Sequence, residues 1–228
     1  MKGPRLIALP LVLTFFLFLL IVLVILSLLI SSVFRALGFS PLTTIAIFFF
    51  ALLGSTVNIP VYTKKLKRPI RRTQPGSMLG LLYSGRRKEN AITKTTIAVN
   101  LGGAVIPMAL SVYLILTNQH LWTQFLIGVL VVAAVSYRFS RIVPGVGISL
   151  PLFIPPIIAA VIAVVLPGGP NTIIAFVSGV SGVLIGADIL NLTNTEKLRS
   201  RTMSIGGAGT FDGIFLTGIV SVLLAALG

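Results

Sequence analysis

Apolar residues run through this chain in long blocks separated by brief polar punctuation. A helix needs about 20 apolar residues to cross the hydrocarbon core of a bilayer. Seven blocks reach or approach that length, at residues 8–34, 41–61, 96–117, 121–137, 146–166, 171–193 and 204–227. They predict an all-α polytopic integral membrane protein with about seven transmembrane helices, folded as a single domain over residues 1–228. The first block is Leu-rich, and no small-residue cleavage site leading into a soluble domain comes after it. It is therefore read as a retained span rather than a signal peptide. The fourth block is the shortest, but Trp122 and Tyr137 bracket it as interfacial aromatics do.

The polar punctuation is asymmetric. With seven spans, seventeen of the eighteen Lys and Arg residues fall on the N-terminal side and only Arg35 falls on the other. Basic residues mark cytoplasmic loops, so the N-terminus is expected in the cytoplasm of a cell-membrane protein and the C-terminus outside. The sizeable polar segment, 62–95, is a basic cytoplasmic loop carrying Lys64-Lys-Leu-Lys-Arg-Pro-Ile-Arg-Arg. Its middle suggests a short hairpin turning at Gly85–Asn90. The loop's cations suit anionic lipid headgroups, although topology alone predicts their presence.

Composition agrees, at 56% hydrophobic and 10% charged, with a net charge of +14. The charge has its explanation in topology, so no nucleic acid is expected. With no cysteine and one histidine, His120 in an external turn, no metal site or cofactor is expected either.

Four acidic residues remain, and two of them, Asp188 and Asp212, stand inside apolar blocks with no Lys or Arg. An ionisable group at membrane depth is costly and marks a functional site by default. Each must be protonated, share a proton, or bind a cation. Counting helical rise from the cytoplasmic ends puts Asp188 about 9 Å deep and Asp212 about 12 Å deep, on neighbouring antiparallel spans. Asn58, Asn100 and Asn191 fall in the same layer. Asn191 stands at i+3 from Asp188, on one helix face. Ser178, Gly182 and Gly186 form a small-residue ridge on span six; Gly206, Thr210, Gly213, Thr217 and Ser221 form another on span seven. Gly206-Gly207-Ala-Gly209 is rich enough in glycine to unwind the helix, and Asp212 would then cap the helix that follows. Pro144-Gly-Val-Gly suggests an irregular entry to span five, and Pro151, Pro155 and Pro156 suggest kinks in it.

Five segments carry a resemblance that covers most of the chain: Gly54-Ser-Thr-Val-Asn-Ile-Pro, Val99-Asn-Leu-Gly-Gly-Ala-Val-Ile-Pro, Pro144-Gly-Val-Gly-Ile, Gly186-Ala-Asp-Ile-Leu-Asn-Leu and Ser204-Ile-Gly-Gly-Ala-Gly-Thr-Phe-Asp-Gly-Ile-Phe-Leu-Thr-Gly. They resemble an archaeal and bacterial multipass family known as domain of unknown function 1614, a label that implies no activity. Gly209-Thr-Phe-Asp212 is also similar to the Gly-x-Gly-Asp motif of intramembrane aspartyl proteases in its relaxed form. That resemblance implies catalytic roles for Asp188 and Asp212 and a membrane-spanning peptide as substrate. Ile185 breaks the corresponding motif before Asp188, no Tyr precedes Asp188, and no Pro-Ala-Leu motif comes after span seven. Two other functions suit the same residues. One is a small transporter or permease coupled to protons or sodium, a type that often works as an oligomer. The other is a non-catalytic scaffold in which the aspartates pin two helices.

Overall fold

The computed structural model describes residues 5–71, 88–143, 147–192, 202–207 and 213–228. Helix dominates them. Seven α-helices occur in order: α1 (Arg5–Ala36), α2 (Pro41–Gly54), α3 (Ile106–Thr117), α4 (Trp122–Phe139), α5 (Ile154–Val165), α6 (Asn171–Val183) and α7 (Gly213–Ala225). Three helical stretches are long and apolar enough to cross a membrane: Val12–Ala36, Gln119–Phe139 and Asn171–Ile189. The shorter apolar helices are Pro41–Gly54, Leu101–Thr117, Ile154–Val165 and Gly213–Ala225.

Part of the expected helix is strand. β1 (Asn58–Arg71) pairs antiparallel with β2 (Lys88–Asn100), and β5 (Thr202–Ile205) lies parallel to β2 on its other edge. A second hairpin joins β3 (Arg141–Val143) to β4 (Gly147–Ser149). The all-α expectation is corrected accordingly. Blocks 41–61, 96–117 and 204–227 each hold a helix joined to a strand that lies at the polar end of the block. The physical reason lies in composition: Ile59-Pro-Val-Tyr-Thr, Thr95-Thr-Ile-Ala-Val and Thr202-Met-Ser-Ile are rich in β-branched and aromatic residues. Such residues are as apolar as a helical span but pack better on a pleated surface. The expected short hairpin is a long ladder in which Arg71 faces Lys88 and Pro69 faces Asn90. Lys88–Asn90, expected in the turn, belong to β2 instead, and residues 72–87 lie outside the described residues.

The bundle is organised around α6, in which every residue from Ile174 to Val183 is buried. Small side chains let its neighbours approach. A Cβ on Gly182 would press into Val132 and one on Gly186 into the Ala133 backbone, both on α4. On the other side Ser221 of α7 donates to the Ala175 carbonyl at 3.1 Å. Gly179 faces Thr217 and Ser221, and Gly218 faces Phe176 and Val180, so α6 and α7 are antiparallel neighbours as expected. α1 differs. Its side chains from Val12 to Ile25 are almost all exposed, and only its final turn, with Val33 and Phe34, reaches the core. That turn ends in a left-handed Gly38 at φ 89°, with Phe39 N–H donating to Phe34 O and Gly38 N–H to Arg35 O. These are the paired bonds that close a helix C-terminus around glycine.

Pro155 and Pro156 are buried at the start of α5. The kink expected of them is therefore absent: in a first turn the missing N–H has no intrahelical partner to lose. Pro151 precedes the helix, and residues 144–146 lie outside the described residues.

Candidate functional site

Three of the glycine-bearing segments converge on Asn100. β2 ends there, and the side chain caps a π-helical segment, Leu101–Val105, by accepting from Gly103 N–H at 2.7 Å. Its amide donates to Ser55 O at 2.7 Å, beyond the end of α2, and to Asn58 Oδ1 at 3.2 Å, the first residue of β1. Asn58 Oδ1 also accepts from the Ser204 hydroxyl of β5. Asn100 is 1% exposed. Both its amide hydrogens and one of its acceptor positions are thus used to join α2, β1 and its own π-segment, with β5 held one bond further away through Asn58.

The glycines explain how these backbones come so close. A Cβ on Gly102 would overlap the Ala51 carbonyl oxygen, and one on Gly54 would lie 3.0 Å from Gly102 N. Gly206 takes φ 74° and packs on Ala104, while a Cβ on Gly207 would lie 2.7 Å from Asn100 Cβ. The left-handed Gly206 agrees with an interrupted helix at this point. Ser204, which closes the cluster from β5, carried no signal beyond being a hydroxyl beside a glycine pair.

Asp188 belongs to a second group. α6 passes into a π-helical segment, Leu184–Ile189, closed by Leu190 N–H donating to Ile185 O at 2.9 Å. Extra residues in a π-turn are uncommon and frequent at functional sites. Asp188 is half-buried on this segment, with Gly186 and Ala187 buried before it and Ile189 exposed after it. The wider turn also alters the expected i+3 relation. Asn191 falls beyond the segment and is buried, donating to Ser140 Oγ at 2.8 Å and to its own Ala187 O at 2.9 Å. Its role in the structure is to close the helix end and tie it to the end of α4. Ser140, the other half of that tie, sits between Arg138 and Arg141, where charge and not polarity dominates the sequence.

Asp212 and Gly209 lie outside the described residues. Gly213 opens α7, and a Cβ there would meet nothing within 4 Å. Among the expected site residues, then, Asn58, Asn100, Gly206 and Gly207 stand together around the sheet end. Gly186, Asp188 and Asn191 stand together at the end of α6. Among the described residues no group of three or more His, Cys, Asp or Glu is arranged to hold a metal ion.

Comparison with curated proteins and with solved structures yields no match. The interlocked segments around Asn100 and the π-segment bearing Asp188 both fall within residues 52–224, which match the family model described as "Protein of unknown function (DUF1614)", and the chain belongs to that family.

Proposed function

We propose that this chain is a seven-span protein of the cell membrane, N-terminus in the cytoplasm and C-terminus outside, in which Asp188 and Asp212 form a catalytic carboxylate pair. The reaction is intramembrane peptide hydrolysis of the aspartyl type. The observation that carries the reading is Asp188 itself: a half-buried carboxylate on a π-helical break, at the end of the most deeply buried helix. The antiparallel packing of α6 on α7 adds support, because Asp212 immediately precedes α7.

Two carboxylates in contact cannot both ionise, so the pair holds one proton between them. The ionised member takes a proton from water as the water oxygen bonds to the scissile carbonyl carbon. The protonated member gives its proton to the carbonyl oxygen. Collapse of that tetrahedral adduct breaks the C–N bond: one member of the pair gives its proton to the leaving nitrogen, and the other takes a proton from a hydroxyl of the adduct, which restores the single shared proton. Which aspartate starts protonated does not alter the balance.

A second reading, a proton- or sodium-coupled permease, is favoured by the broken helices. π-segments at Leu101–Val105 and Leu184–Ile189 interrupt the bundle beside buried polar side chains, the kind of backbone that transporters use at ion sites. One reconstitution separates the two. Wild type, Asp188→Asn and Asp212→Asn are compared for cleavage of a membrane-spanning reporter and for proton and sodium flux. Cleavage lost in both variants supports the peptidase. Flux lost without any cleavage supports the permease. Activity retained in both variants with a lower melting temperature assigns the aspartates to helix pinning.

A further inference from the structure

The end of α4 is shaped as a basin. The helix stops at Phe139 because Ser140 turns to extended backbone, and the chain enters the β3–β4 hairpin, where Arg141 stands opposite Ser149. Arg138, Phe139, Arg141, Ser149, Leu150 and Pro151 line an open cavity of about 400 Å³. The two arginines are exposed, and neither has an ion-pair partner among the described residues. Two guanidinium groups beside one cavity repel each other unless an anion lies between them. The guanidinium fork matches phosphate oxygens in pairs, and the Ser149 hydroxyl opposite adds a third donor.

The remaining walls indicate what the anion is attached to. Phe139, Leu150 and Pro151 offer an apolar side that inorganic phosphate does not need and that glycerol and acyl carbons do. Position agrees, since α4 ends a stretch long and apolar enough to cross a membrane, Gln119–Phe139, with Tyr137 exposed just before the cavity. The end of such a stretch lies at headgroup level. We propose that this cavity is a binding site for the phosphodiester of an anionic glycerophospholipid, with Arg138 and Arg141 holding the phosphate and Phe139, Leu150 and Pro151 holding the carbons beside it. The proposal does not rest on the role of the carboxylate pair.

The test uses the full chain in detergent, titrated with phosphatidylglycerol, phosphatidylcholine or inorganic phosphate, with bound lipid counted by native mass spectrometry. Wild type retains phosphatidylglycerol in preference to phosphatidylcholine, and inorganic phosphate does not displace it. Each Arg→Gln change weakens retention roughly fivefold, the equivalent of about 1 kcal/mol per cation near a lipid surface. Arg138→Lys with Arg141→Lys retains part of the binding, and Arg35→Gln, away from the cavity, retains all of it. Should the double Gln variant fail to fold, the exposed single changes Arg141→Gln and Ser149→Ala carry the same reading. Retention equal to wild type in these variants overturns the site. Displacement by inorganic phosphate, with no preference between the two lipids, overturns the lipid and assigns the cavity to a free phosphate.

Discussion

The amide of Asn100 donates to the side-chain oxygen of Asn58 at 3.2 Å, across the junction where β2 ends and β1 begins. This bond belongs to a part-buried knot whose other strands are the Ser55 carbonyl and Gly103 N–H. Removing the Asn100 side chain leaves the buried Gly103 N–H and the part-buried Ser55 carbonyl without their partner. Each unsatisfied buried group costs about 1–3 kcal/mol. Asn100→Ala is therefore expected to lose roughly 2–4 kcal/mol of stability on that basis. Asn100→Asp, which keeps the acceptor for Gly103 N–H and loses the donor to Ser55 O, should fall nearly as far. Thermal melting in detergent checks both, and a melting point unchanged by Asn100→Ala would show that the knot is not holding the junction.

Glycines of the same apparent kind should differ sharply in tolerance. A Cβ on Gly186 runs into the Ala133 backbone, which cannot rotate away, whereas a Cβ on Gly213 meets nothing within 4 Å. Gly186→Ala should reduce the yield of folded protein, with a cost at or above the ~1–3 kcal/mol typical of overpacking. Gly213→Ala should be neutral or stabilising by up to about 1 kcal/mol, the helix preference of Ala over Gly. If Gly213→Ala abolishes activity while melting normally, the glycine is needed beside Asp212 for chemistry and not for packing.

Gly38 isolates backbone conformation from crowding. Its φ is 89° but a Cβ there has open space. Gly38→Ala should cost about 1–2 kcal/mol for the left-handed conformation alone. Gly38→Asn should recover part of that, because Asn accepts left-handed backbone more readily than Ala does. Equal melting points for Gly38→Ala and wild type would mean the loop after α1 re-forms without its positive φ.

Hydropathy located the helices well and the ends where they pass into strands poorly, for a reason visible in particular residues. α4 and α6 lie where unbroken apolar runs place them. The run from Thr95 to Val99, however, is as apolar as a helix end, and only its pairing with Ile59 to Lys64 and with β5 makes it a strand. Pairing of that range is not encoded in any local window. The polar layer was legible as a set of residues but not as two groups. Asn58 and Asn100 are joined by the sheet, while Asn191 is turned toward Ser140 by a π-segment that composition does not announce. The glycine pairs were legible as close-packing sites, yet the partner of each, such as Ala51 for Gly102, is a matter of tertiary structure.

The contact between α4 and α6 supports a compensating pair. A Cβ on Gly128 would collide with the Ser178 hydroxyl and lie 2.9 Å from Ser178 Cβ. Ser178 is buried, and its hydroxyl has no hydrogen-bond partner among the described residues. Ser178→Ala thus removes an unsatisfied polar atom and should be neutral or slightly stabilising. It should relieve Gly128→Ala only in part, because the Cβ clash stays. Ser178→Gly removes both clashing atoms, and the next neighbour of a Gly128 Cβ, Ile162 Cγ2, is 3.8 Å away. Gly128→Ala alone should cost about 1–3 kcal/mol. Adding Ser178→Gly should return most of it, despite the helix penalty of about 1 kcal/mol for the new glycine. The double-mutant cycle then has a coupling energy of ~1–2 kcal/mol, within the range for residues in direct contact. Additive melting shifts would mean that α4 moves off α6 to admit the methyl, and that the ridge on α6 is a looser contact than its geometry implies.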